Sequence, residues 1–274
     1  MMSSLLIFGL GYTASRIADA ARAKGWQVDA TGSAGTIDFA DGATVRLVGA
    51  QATHILSSVP PVVDGDPVLH AYHDVLAGKW LGYLSSTGVY GDAGGAWVDE
   101  SAPIRGRRDS RNVADQDWLG LSARVFRLPG IYGPGRSALD RVAEGKAHRV
   151  ALPGQVFSRV HVDDIVSGVI AGFAAPPGAY NLADDAPCDQ NAVIEAAAAL
   201  LGLDAPPFVD LASLSPMARS FYAENRRVAN GKAKRVLGWT PAYPDFGSGL
   251  RALRAMSSPA SATAPPPAAS HDQR

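Results

Sequence analysis

Leu5-Leu6-Ile7-Phe8 runs straight into Gly9-Leu10-Gly11-Tyr12-Thr13-Ala14, and a helical pattern follows from Tyr12 to Lys24. Four apolar residues ended by glycine read as a strand buried on both faces. Ile17, Ala18 and Ala21 fall at helical spacing, and Gly25 stops the helix. Each position of Gly-x-Gly-x-x-Ala then has a task. Gly9 allows a tight turn, Gly11 lets the backbone approach a pyrophosphate, and Ala14 lets the helix lie close to the strand. The helix start, at Tyr12 and Thr13, presents free N–H groups and a positive dipole end to phosphates. Gly9, Gly11, Tyr12, Thr13 and Ala14 are therefore candidate dinucleotide-binding residues. The other reading of the same residues is a packing turn that holds no ligand.

Strands and helices keep alternating after this unit. Trp26 to Thr31 reads as a second strand, Thr36 to Phe39 as a short third, and His54 to Val59 as a fourth stopped by Pro60-Pro61. Trp80 to Ser85 and Ala123 to Leu128 read as the fifth and sixth. Between them, Asp41 to Ala50 has a modest helical pattern. Asp66 to Leu76 suits a helix with Pro67 in its first turn. Arg111 to Leu119 suits another, with Val113 and Trp118 as buried candidates. The order predicts an α/β fold with a doubly wound parallel sheet of the Rossmann kind. Further on, Val156 to Val160 and Ala179 to Leu182 are expected strands around a helix from Val162 to Ala174, and Asn191 to Leu201 is an expected helix. Residues 1–256 then form one unit. Its Rossmann core is mainly 1–132 plus 156–182, and a smaller C-terminal substrate lobe is mainly 133–155 and 183–256. Residues 257–274, rich in Ser, Pro and Ala, are expected to be a disordered tail.

With 25 basic against 26 acidic residues in 274, nothing in the charge invites nucleic acid or an anionic membrane surface. No run approaches the ~18 apolar residues of a membrane span. Leu5 to Phe8 is too short for a signal-peptide core, so a cytoplasmic location is expected. Cys188 is the only cysteine, which rules out an intrachain disulfide and a cysteine-based zinc site. It is expected in a surface loop and not as a nucleophile, and no metal site is expected.

In an open parallel sheet, ligands bind beyond the carboxyl ends of the strands. Ser57, Val59 and Pro60 close the fourth strand and should line the cofactor. Asp29 lies short of the second strand's end, where Thr31, Gly32 and Ser33 are small and uncharged. An acid there would favour NAD by bonding the ribose 2′-hydroxyl. Its absence leans the expectation to NADP over NAD, with Thr31 and Ser33 beside the 2′-phosphate. Asp38-Phe39 is a weaker candidate for the adenine.

Leu84-Ser85-Ser86-Thr87-Gly88-Val89-Tyr90-Gly91-Asp92 resembles the fifth-strand ending of the extended short-chain dehydrogenase/reductase family, which includes nucleotide-sugar epimerases and dehydratases. The segments Arg124 to Arg136, Arg159 to Ile165, Arg226 to Asn230 and Leu237-Gly238-Trp239 resemble it too, so the likeness spans about residues 4 to 255. It implies Ser85 at the floor of an NAD(P) site and Ser86 in the slot of the catalytic serine or threonine. It implies Pro129, Gly130 and Ile131 at the nicotinamide. His161 would be structural, and Asp163 or Asp164 would sit at a helix start. The family normally supplies a Tyr-x-x-x-Lys pair. Here Arg107 falls at the tyrosine slot and Arg111 at the lysine slot. Arg111 could still hydrogen-bond the ribose, whereas Arg107 cannot exchange a proton near neutral pH. Tyr132, Tyr90 and Asp109 are the remaining proton donors, and Arg107 with Arg108 could instead clamp an anionic substrate group. The implied function is an atypical NAD(P)-dependent oxidoreductase, epimerase or dehydratase acting on a polar small molecule. The alternative is a catalytically inactive NAD(P)-binding regulatory or sensing module. A homodimer is among the assemblies the resemblance allows.

Overall fold

Leu5, Leu6, Ile7 and Phe8 are at most 1% exposed, as a strand covered on both faces requires. In the computed structural model, which describes residues 3–257, these residues lie in β1 (Ser4–Phe8). The glycine turn then leads into α1 (Tyr12–Ala23), followed by β2 (Gln27–Ala30), α2 (Gly42–Gln51), β3 (His54–Ser57), α3 (Pro67–Tyr72) and β4 (Trp80–Ser86). A short outlying strand, β5 (Trp97–Val98), precedes α4 (Asp109–Gly120) and β6 (Arg124–Leu128). Next come β7 (Gly130–Tyr132), α5 (Ala138–Ala143), β8 (Arg149–Val150), β9 (Arg159–His161), α6 (Val162–Ala171) and β10 (Gly178–Asn181). The chain closes with α7 (Gln190–Leu201), β11 (Phe208–Val209), α8 (Pro216–Phe221), β12 (Arg227–Val228), α9 (Gly231–Leu237) and α10 (Phe246–Ser257).

Six of these strands form one parallel sheet in the order β10-β6-β4-β3-β1-β2. Alternate residues of β1 feed opposite faces. Leu5 and Ile7 join Ile17 and Ala18 of α1, Ile165 and Val169 of α6 and Ala233 of α9. Leu6 and Phe8 join Val45 of α2, Val68 and Tyr72 of α3 and Trp118 of α4. The expected doubly wound α/β fold is therefore present. A third core holds Leu139 and Val142 of α5, Val193, Ile194 and Ala197 of α7, and Leu250 and Leu253 of α10. Asp66 shows how a single side chain orients these layers. It caps α3 by accepting from Val68 N and Leu69 N, and its other oxygen takes the Trp118 indole N–H at 2.8 Å.

Some expectations need correction. Thr36 to Phe39 forms no strand; it contributes only the bridge Thr31–Ile37. The chain turns back at once, with Gly35 N bonded to Gly32 O and Ile37 N to Ala30 O. A side chain at Gly35 would lie 2.4 Å from Ala30 O. Val113 is 49% exposed while Trp118 is fully buried, because Ala114 and Trp118, one turn apart, form the inner face of α4. The strand expected from Val156 to Val160 is confined to Arg159–His161, paired with β7. Ser257 belongs to α10, and the rest of the predicted tail, residues 258–274, lies outside the described residues. Among the described residues, no helix is long and apolar enough to cross a membrane.

Candidate dinucleotide and substrate site

The turn after β1 is built to keep a helix end open. Gly9 has φ +85°, and a Cβ there would stand 3.0 Å from Val59 Cγ2. Leu10 N donates to Thr31 O at 2.8 Å, and Gly9 N donates to Thr31 Oγ1 at 3.2 Å. Thr31, expected beside a 2′-phosphate, is fully buried and pins this turn instead. Gly11 stands at the N-cap of α1 with no side-chain cap, whereas Asp41, Asp66 and Asp189 cap α2, α3 and α7. The amides of Tyr12 and Thr13 find no acceptor among the described residues. Beyond Gly11 and its chain neighbours, no atom of the described residues lies within 4 Å of where a Gly11 Cβ would sit. Free amides under an open glycine fit a pyrophosphate, which needs donors and close backbone approach.

Tyr12 closes one side. Its hydroxyl donates to Pro134 O at 3.1 Å, and the Arg16 guanidinium lies 4.0 Å above its ring. Thr13 and Ala14 are buried against the sheet. Ser33 is exposed just past β2. Asp29 pairs with Leu6 inside the strand and takes a hydrogen bond from Gln27, so it stays short of the strand end. Asp38 accepts from Ala40 N. At the end of β3, Ser57 is buried with an unpartnered Oγ, Val59 abuts Gly9, and Pro60 is exposed. Pro129 and Ile131 are half-buried and Gly130 is exposed at the end of β6. The sheet order puts these ends in one row.

At the end of β4 the two serines diverge. Ser86 is half-buried, and its Oγ accepts from Gly88 N at 3.1 Å, which leaves its own proton free. The Ser85 hydroxyl turns inward and donates to Asp115 Oδ2 at 2.6 Å. Asp115 also receives a bidentate pair from Arg127, at 3.1 and 2.6 Å. The Arg127 and Asp115 side chains are almost fully buried, at 3% and 0% exposure. Arg127 Nη1 donates to Tyr90 OH, and Tyr90 OH donates to Asn181 Oδ1 at 2.7 Å. Burial pushes the Tyr90 phenol up. This network braces β4, α4, β6 and β10 below the site, and it engages Tyr90 structurally. Sequence reasoning missed it. The available signal was a charge in the middle of an apolar strand, at Val125-Phe126-Arg127-Leu128.

Arg107 and Arg111 do not share a helix. Arg107 precedes α4 and is engaged by α8 and the segment after it, through Nε to Glu224 at 2.7 Å and Nη2 to Ser220 O at 2.9 Å. Arg111, in the first turn of α4, is half-buried. Asp109 opens α4 and is exposed. Tyr132 turns away into the core formed by α5, α7 and α10, its ring edge-on to His161 at 5.1 Å. Its hydroxyl is buried without a partner among the described residues, and burial pushes the phenol upward. His161 is fully buried and caps α6 by accepting from Asp163 N; burial lowers its pKa. Asp164 accepts from Ala242 N and Tyr243 N. Cys188 is half-buried against Arg159, and burial pushes its thiol up, an environment opposed to nucleophilic use. Among the described residues, no group of three or more His, Cys, Asp or Glu could hold a metal.

Asp184 is 2% exposed, and among the described residues neither of its carboxylate oxygens has a well-formed hydrogen bond. Burial pushes its carboxyl up to about 7, while the Arg159 charge and the nearby amides of Ala186 and Arg159 pull the other way. Unfolded, it ionises near 3.8. The folded state therefore holds a proton that the unfolded state releases, and stability falls as pH rises from about 4 to about 7. Asp184→Asn is expected to flatten that decline and to exceed the wild type in stability at pH 8. Proton linkage sets an upper bound of about 4 kcal/mol on the gain. Urea midpoints at pH 5 and pH 8 check this; an equal decline in both proteins contradicts it.

No protein-family model matches the chain. Protein YeeZ of Escherichia coli K12 is 30% identical over 251 residues, covering 76% of this chain and 87% of YeeZ. A 3-diazoavenalumate denitrifying reductase from Streptomyces sp is 29% identical over 233 residues, covering 80% of this chain and 68% of the reductase. The solved structure of a functionally unknown conserved protein from Silicibacter pomeroyi matches with a TM-score of 0.83 and 42% identity, over 93% of this chain and 99% of that one. The fold also recurs in dTDP-glucose 4,6-dehydratase from Bacillus anthracis in complex with NAD, with a TM-score of 0.74, 17% identity and coverage of 92% and 96%. It recurs in the human epimerase family protein SDR39U1 with NADPH, with a TM-score of 0.73, 14% identity and coverage of 92% and 99%. This chain belongs to the family of protein YeeZ and shares the Rossmann-type fold of the dTDP-glucose 4,6-dehydratase and the human epimerase family protein.

Proposed function

We propose that the chain is an NAD(P)-dependent oxidoreductase, atypical within the short-chain dehydrogenase/reductase fold, acting on a polar small molecule. The observation that carries this reading is the uncapped start of α1 beneath the open Gly11. The fold neighbours solved with NAD and NADPH, and the relative that is a reductase, support it. The uncharged segment from Thr31 to Ala34, without an acid, favours NADP(H) over NAD(H).

The nicotinamide would supply hydride chemistry. The chain's own residues would do the rest. Amides of Tyr12 and Thr13 would hold the phosphates, Val59 and Pro60 would line the middle of the site, and Pro129, Gly130 and Ile131 would flank the reacting ring. Arg111 would offer donors to a ribose, and Ser86, whose hydroxyl proton is uncommitted, would donate to a substrate oxygen. α4 carries neither tyrosine nor lysine, so on this reading α4 supplies no phenol-to-lysine relay. A second reading, a nicotinamide-sensing module without turnover, is favoured by the engagement of Arg107 with Glu224 and Ser220.

NADPH oxidation measured against a panel of carbonyl compounds and sugar nucleotides separates the two readings. The enzyme reading expects turnover with at least one of them. It also expects Ser86→Ala to lower kcat/KM by about 10–100-fold, the loss of one to two hydrogen bonds in the transition state, with NADPH affinity unchanged. Tight NADPH binding with no turnover across the panel supports the sensing module.

A further inference from the structure

Two arginines meet at Glu224, and they differ in what they have left to offer. Arg107 uses Nε on Glu224 Oε1 and Nη2 on Ser220 O, so the side-on edge of its guanidinium is filled. Arg226 uses Nη1 alone, on Glu224 Oε2 at 2.6 Å and Gly91 O at 2.7 Å. Its Nε and Nη2, the matching side-on edge, donate to no described residue. The Arg226 side chain is only 16% exposed and Glu224 only 12%, so this edge is held in place. Burial pushes the Glu224 carboxyl up, but hydrogen bonds from Arg107 and Arg226 outweigh it and keep it below its ordinary value. The trio therefore carries one net positive charge. Asp92, another carboxylate close to Arg226, accepts from Asn225 N and Gly94 N.

Arg226 also faces the candidate reaction centre. A Cβ built on Gly88 would lie 3.3 Å from Ser86 Oγ and 3.9 Å from Arg226 Nη2. The missing side chain at Gly88 keeps clear the gap between the serine hydroxyl and the open guanidinium edge. A planar two-oxygen anion matches that edge in geometry.

We propose that Arg226 is the substrate-specificity residue of this site, gripping a carboxylate of the substrate beside Ser86 while Arg107 and Glu224 hold the guanidinium in place. This deepens the oxidoreductase reading and rests on it. It moves the anion clamp that the sequence suggests for Arg107 and Arg108 to a residue 119 positions beyond Arg107.

The test titrates NADP⁺-saturated protein with oxamate and benzoate, with oxamide and benzamide as uncharged counterparts, and with inorganic phosphate, by calorimetry. The expected result is binding of at least one carboxylate in preference to its amide and to phosphate. Arg226→Lys retains a charge that can reach Glu224 but lacks the two-donor edge. Arg226→Lys and Gly88→Ala are each expected to weaken carboxylate binding at least about tenfold, or 1.4 kcal/mol, with NADPH affinity within about twofold of wild type. Equal binding of carboxylates and amides, preference for phosphate, no binding of either carboxylate, or full affinity in Arg226→Lys overturns the assignment. Failure of the wild type to bind NADPH overturns the oxidoreductase reading instead.

Discussion

Arg127→Met is expected to lower the unfolding free energy by about 3–5 kcal/mol, the cost of leaving a buried charge without its partner. Asp115 is fully buried, and Arg127 satisfies both of its oxygens. Methionine fills much of the space but returns no charge, so Asp115 keeps only the Ser85 hydroxyl. Tyr90 also loses a donor to its oxygen. Removing Arg127, Asp115 and Ser85 together should cost far less than removing Arg127 alone, because no buried charge is then orphaned. Arg127→Met with Asp115→Leu and Ser85→Ala is accordingly expected to recover most of the loss. Urea denaturation of the single and triple variants measures both. A single variant within about 1 kcal/mol of wild type contradicts the assignment of this pair as the brace under the site.

Gly11→Val is expected to raise the dissociation constant for NADPH by about 100-fold while leaving the fold intact. The backbone at Gly11, φ −100° and ψ −165°, is extended and open to valine. Beyond Gly11 and its chain neighbours, no atom of the described residues lies within 4 Å of the new Cβ, so its bulk falls where the pyrophosphate would approach. Losing two phosphate hydrogen bonds at about 1.5 kcal/mol each gives a change of that size. Gly9→Ala should behave differently. Its φ of +85° and its 3.0 Å approach to Val59 make it a folding defect first. Melting temperature and NADPH affinity, measured on both variants, separate the two effects. A Gly11→Val protein that binds NADPH like wild type contradicts the proposed cradle.

How far the sequence reveals this molecule depends on how local each cause is. The strand, glycine turn and helix at residues 5–23 are readable because burial on both faces leaves a continuous apolar run and the turn chemistry sits beside it. The absent third strand is hidden because Thr36 to Phe39 has strand composition, while the Gly32 to Gly35 turn that folds it back acts through backbone geometry. The buried pair of Asp115 and Arg127 is 12 residues apart and spans a helix and a strand. The contact between Arg107 and Glu224 spans 117 residues. Neither leaves a periodic trace, so the partner of each charge has to be seen in space. Ser86 and Arg111 are legible as positions, but the divergence of Ser85 into the interior is not.

Dinucleotide binding at the start of α1 is the central claim, and a fluorescence titration with NADPH and NADH tests it most directly. The expected result is saturable NADPH binding with a dissociation constant between roughly 1 μM and 1 mM, the ordinary range for enzyme ligands, and weaker binding of NADH. Absence of binding for both at millimolar concentration contradicts it.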